Sequence, residues 1–98
     1  LQETSFLVAS HIKPWKDATP NERLDGFNGL PLTPNLDRAF DRGYVSFAED
    51  GSIMISPTLG LESMQALGIR PDMALRICDE RIGTYMAYHR DHIYVQER

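Results

Sequence analysis

Hydrophobic positions along the chain change period several times, and each change marks an element. Phe6-Leu7-Val8-Ala9 is a short apolar run that suits a buried strand, delivering Ser10 and His11 to its far end. From Pro14 through Trp15, Asp17, Pro20, Asn21 and Asp25-Gly26 no period is sustained and turn formers dominate, so a surface loop is expected. Asn28-Gly29 is a tight-turn dipeptide, and Leu30-Pro31-Leu32 reads as a short strand that Pro31 confines to an edge. Thr33 as N-cap, Pro34 at the first helical position and Gly43 just past the end then delimit a helix. Its Leu36 and Phe40, four apart, face the core, and Asp37 and Asp41 share the adjacent face.

From Tyr44 the period is two. A three-residue loop Glu49-Asp50-Gly51 opposes Phe47 to Ile53 and Val45 to Ile55 on one face, whereas a two-residue Asp-Gly loop scatters the apolar set. The pattern predicts a hairpin with Gly51 in the left-handed region. Leu61, Met64 and Leu67 mark a short helix closed by Gly68, and Pro71-Asp72 restarts the chain. Ile82, Tyr85, Met86 and His89 keep helical spacing with Asp79 as N-cap; Ile93-Tyr94-Val95 either adds a strand or simply docks. There is no internal repeat.

Composition bounds the function. With 98 residues, 42% hydrophobic and 24% charged, the chain is the size of one soluble domain, and no apolar run nears the ~20 residues that span a bilayer. Cys78 stands alone, which rules out an internal disulfide and any zinc site drawing two thiolates from this chain, and fits a reducing, cytoplasmic setting. The chain opens at Leu1 without a targeting pattern, so it is expected to be a fragment of a longer protein. Its net charge of −4 has the wrong sign for affinity to nucleic acid through overall charge. The acidity lies mostly in the C-terminal half. From His11 to Gly43 five cations (Lys13, Lys16, Arg23, Arg38, Arg42) balance five acids (Asp17, Glu22, Asp25, Asp37, Asp41).

Taken singly, His11 reads as a structural histidine, Asn28 as a turn residue, and Lys13, Lys16 and Arg42 as surface charges. Their order changes the reading. Ala9-Ser10-His11-Ile12-Lys13-Pro14-Trp15, then Asn28-Gly29-Leu30-Pro31-Leu32-Thr33-Pro34, then Leu36-Asp37-Arg38-Ala39-Phe40-Asp41-Arg42-Gly43 place a His, an Asn and a helix with metal-capable residues in succession. This combined pattern, over roughly residues 6–56 with a weaker echo at Tyr88-His89-Arg90, resembles the HNH endonucleases, in the branch found in bacterial restriction-type nucleases. Asp37 stands where that family has its second histidine, giving a His-Asn-Asp variant, and Ser10 stands where an acid or histidine often precedes the first His.

The resemblance implies an α+β fold: a ββα-metal core at about 6–43, an additional hairpin at 44–56 and C-terminal helices at 57–98, all one domain. It implies a metal-dependent DNA endonuclease in a restriction-type system. His11 would be the general base that deprotonates the attacking water, a role worth ~10²–10⁴-fold. Asn28 would brace the segment between the strands, and Asp37 and Asp41 would share one divalent ion, Mg²⁺ or Mn²⁺ by the hardness of carboxylate oxygens. Lys13, Lys16 and Arg42 would meet phosphates, and Trp15 has two places open to it, against DNA or capping the core. Independently of the family, like charges four apart cost about 0.2–0.5 kcal/mol. Asp41 also opposes the helix dipole, for another ~0.3–1 kcal/mol. A metal ion or Arg38 would compensate. Expected partners are DNA and other domains of the longer chain, with homo-oligomerisation left open and no membrane. The competing expectation is a catalytically silent HNH-like domain that binds DNA or a protein partner.

Overall fold

The chain alternates side chains across a short ribbon before it builds any helix of length. A computed structural model describes residues 7–75 and 79–96. β1 (Val8–His11) pairs antiparallel with β2 (Gly29–Leu32), in register from Val8 opposite Leu32 to His11 opposite Gly29. A two-stranded ribbon has only edges, so Pro31 fits without costing a ladder hydrogen bond. The expected buried strand from Phe6 is corrected in part. Phe6 lies outside the described residues, while Leu7 and Val8 are 40% and 38% exposed. Strand alternation puts Ser10 inside, with Ile12 buried just beyond the strand, and turns Ala9 and His11 to solvent.

Between the strands the expected loop contains ordered turns: a 3-10 turn at Trp15–Asp17, α1 (Pro20–Leu24), and a second 3-10 turn at Gly26–Asn28. α1 has a complete capping box. Thr19 accepts from the Glu22 amide while the Glu22 carboxylate accepts from the Thr19 amide, with Pro20 in the first turn. The tight turn expected at Asn28-Gly29 does not form. Gly29 is extended at φ −143°, and Asn28 is fully buried because its side chain is held by the preceding segment.

α2 (Pro34–Asp41) begins and ends where its punctuation places it. Gly43 takes φ +82°, and a side chain there would run into the Ile93 carbonyl. β3 (Val45–Phe47) and β4 (Ile53–Ile55) form the hairpin in the expected register, Val45 opposite Ile55 and Phe47 opposite Ile53, with Gly51 at φ +90°. α3 (Leu61–Ala66) is followed by Gly68 at φ +74°. α4 (Glu80–His92) is capped by Asp79, which accepts from the Arg81 amide at 2.8 Å. Of the two alternatives for Ile93–Val95, docking is the one realised: the Val95 amide donates to the Gly43 carbonyl at 2.8 Å.

The fold is α+β, and one core joins its parts. Ile12, Leu30, Leu32, Phe40, Val45, Phe47 and Met86 bury together, so the ribbon, α2, the hairpin and α4 share a single apolar centre. Phe40 sits in its middle, 5.9 Å from Phe47 and stacked on His89 at 3.7 Å. Among the described residues no helix is long and apolar enough to cross a membrane.

Candidate functional site

His11 ends β1 on the ribbon's solvent face, its imidazole edge-on to Trp15 with centroids 5.7 Å apart. The backbone immediately beyond it is tightly held. The buried Asn28 accepts the Lys13 amide on Oδ1 at 2.7 Å and donates through Nδ2 to the carbonyls of Lys13 and Glu22, each at 3.3 Å. Its own carbonyl accepts the Ile12 amide at 3.2 Å. Asn28 thereby ties residues 12–13 to residue 22, directly after His11.

A second layer comes from α4. Tyr88 donates its hydroxyl to Asp17 at 2.9 Å, and Tyr85 donates to Asp25 at 2.7 Å. The Tyr85 bond, with the Phe27 amide, holds the Asp25 carboxyl below the usual range; in return Asp25 pushes the Tyr85 phenol up to about 12. Tyr88 is raised by Asp17 in the same way. The Glu22 carboxyl is lowered chiefly by the Thr19 amide and next by Lys13, whose ammonium lies 3.0 Å away. Sequence reasoning misses these tyrosines. The signal present is Tyr85 and Tyr88 three apart on one helix face, which by itself reads as packing.

Lys13, expected at a phosphate, instead pairs its ammonium with Glu22 and lies 4.8 Å above the Tyr88 ring. Lys16 and Arg42 are exposed and have no carboxylate partner among the described residues.

α2 packs against β1, β2 and β3, which sets its position relative to the ribbon that carries His11. Asp37 is half-buried and Asp41 exposed. Among the described residues neither carboxylate makes an ion pair, and Arg38 does not bridge to Asp41. No three His, Cys, Asp or Glu side chains among the described residues converge to hold a metal together. A closed tetrahedral zinc site is thus not what these residues offer. Two carboxylates four apart on a helix suit a hard ion such as Mg²⁺, which keeps several waters and takes only one or two carboxylates from a protein, with substrate phosphate completing its shell.

The far end of α2 is gripped by His89 of α4. This imidazole, 1% exposed, must donate from Nε2 to the Phe40 carbonyl at 2.7 Å, because a carbonyl only accepts. Nδ1 therefore accepts from the Ser46 hydroxyl at 2.8 Å. Burial lowers the imidazole to about 4, so it stays neutral and serves structure.

The site is thus an exposed histidine on a braced segment, with two unpaired acids on the helix packed against the same ribbon, in the order His, Asn, helix that the sequence presents. No curated protein matches the chain. A protein-family model described as HNH endonuclease matches residues 1–48, which contain β1, the braced segment, β2 and α2. Residues 1–48 of the chain thus belong to the HNH endonuclease family.

Proposed function

We propose that this HNH domain, a nuclease-type hydrolase by its family, cleaves DNA phosphodiesters with His11 as general base and with Asp37 and Asp41 as the ligands of one divalent ion. The observation that carries the reading is the contrast around Asn28: the segment after His11 is fixed by a fully buried amide while His11 itself is exposed to solvent. A base must reach a water and a phosphate without drifting, and this arrangement satisfies both needs.

The chain's residues divide the work by position. His11 takes the proton of the attacking water. Asn28 does no chemistry; it holds residues 12–13 against residue 22 and so limits where the imidazole can point. Lys16, five positions after His11, and Arg42, next to Asp41, are exposed and in our reading meet flanking phosphates, whereas Lys13 contributes by anchoring Glu22. HNH nucleases generally use a divalent metal; held by Asp37 and Asp41 it would polarise the scissile phosphate and offset charge on the leaving oxygen. The Phe40-Asp41-Arg42-Gly43 run supports our reading of a restriction-type system.

The test is a plasmid-nicking assay in Mg²⁺ or Mn²⁺. His11→Ala should lose cleavage by at least ~10²-fold with an unchanged thermal midpoint, since the side chain is exposed. Full activity in that variant overturns the mechanism. The absence of three converging ligands among the described residues favours one second reading, a silent domain that binds DNA or a protein partner. Calorimetric titration decides between them: no Mg²⁺ or Mn²⁺ binding at millimolar concentration supports the silent domain.

A further inference from the structure

Trp15 is the chain's sole tryptophan, and the structure removes one of the two places open to it. It does not cap the core; it is 55% exposed. Its presentation is nonetheless fixed. Trp15 opens the 3-10 turn after Pro14, in which the Asp17 amide donates to the Pro14 carbonyl at 2.9 Å. Arg23, held in the capped helix α1, donates from Nε to the Trp15 carbonyl at 2.9 Å and sets its guanidinium 4.5 Å above the indole ring. Arg23 has no carboxylate within ion-pair distance among the described residues, so its charge is not neutralised there. The indole also meets the His11 imidazole, at the end of β1. A cation, an open aromatic surface and the proposed base therefore stand together.

We infer that Trp15 is a stacking platform for an unpaired nucleobase beside the phosphate that His11 serves, with Arg23 and the neighbouring Lys16 answering the phosphates that flank it. The inference rests on the nuclease reading and adds the state of the strand that is recognised. In a duplex the faces of the bases are hidden by their neighbours, and only a base out of the stack offers a flat apolar surface to an indole. Stacking on an aromatic ring tolerates every base, so the platform selects single-stranded or locally unpaired DNA without selecting sequence. A ring fixed by Arg23 before binding loses little freedom when a base arrives.

The experiment reads the indole directly. The intact chain, kept from cleaving by EDTA, is titrated with a mixed-sequence single strand of about 12 nucleotides and with a blunt, fully paired duplex of the same sequence. Saturable quenching of the Trp15 fluorescence by the single strand, and at least about five-fold weaker quenching by the duplex, is expected. In anisotropy titrations of the labelled single strand, Trp15→Ala should bind roughly 5- to 150-fold more weakly and Trp15→Phe should recover most of the loss. Arg23→Gln should lower the salt slope by about one released ion. In cleavage assays the Trp15→Ala defect should fall on KM more than on kcat, and circular dichroism should show an unchanged melt. Equal quenching by duplex and single strand, or labelled DNA that binds while the indole stays silent, overturns the platform and leaves the nuclease reading standing. A chain that neither binds nor nicks any DNA overturns both.

Discussion

The acids between the ribbon strands and the acids of α2 are the same chemical groups, close together in sequence, and the fold treats them oppositely. Asp17 and Asp25 accept tyrosine hydroxyls from α4, and Glu22 accepts both the Thr19 amide and the Lys13 ammonium. Asp37 and Asp41 have no ion-pair partner among the described residues, although they repel each other and Asp41 ends its helix where the dipole is unfavourable. A carboxylate whose lone pairs are filled by the protein is part of the scaffold. One left unfilled beside another is available to something that arrives from solution. The first set holds the segment between the strands, beyond His11, and the contrast supports our proposal that the second takes a cation.

The largest test of this contrast removes charge from each set in turn. Asp37→Asn or Asp41→Asn should cut metal-dependent nicking on the order of 10²-fold or more and abolish any rise in thermal midpoint on adding Mg²⁺, while Glu22→Gln should leave that rise intact. A Mg²⁺ response that vanishes with Glu22 and survives without Asp37 reverses the assignment.

Next comes the brace itself. Asn28→Ala leaves the Lys13 amide and two carbonyls without their partner in a buried place, and urea unfolding should show a loss of about 2–4 kcal/mol.

His89 supplies a pH-dependent test of the helix that carries the α2 acids. Its folded value near 4 lies below the ordinary 6.5, so the unfolded chain binds a proton first as pH falls. Stability is complete above pH 6.5 and is lost on the way down to about 4, by roughly 3 kcal/mol in all. His89→Gln should flatten this limb. The lowered carboxyls of Glu22 and Asp25 act in a separate window, their contribution being lost only below about pH 4.5 and 3.8 respectively, so the two sources are distinguishable.

The smallest effect is at the alkaline end. Tyr85 is raised from 10 to about 12, so its bond to Asp25 contributes fully below pH 10 and fades as pH rises through 12. A melting series across that range should show a shallower fading limb in Tyr85→Phe than in the parent chain, the remainder coming from Tyr88 and Tyr94, which are raised as well.

Much of the fold is legible along the chain because it is local. Thr33-Pro34 and Gly43 delimit α2 through backbone rules that operate within a few residues, and alternation of Val45, Phe47, Ile53 and Ile55 sets the hairpin register for the same reason. The capping box Thr19–Glu22 is equally local, but a five-residue helix has too few apolar positions for a period, and only the cap chemistry announces it. The order His11, Asn28, α2 pointed to the family and to the candidate residues. Tertiary structure decided how each is used: that Asn28 is caged where a turn was expected, that Lys13 and three acids are spent on one another and on α4, that His89 caps α2, and that Trp15 faces solvent. These outcomes depend on groups 9 to 71 positions apart meeting in the folded chain. Sequence spacing carries no distance over such separations; only the packing of α4 against the ribbon's connecting segment supplies it.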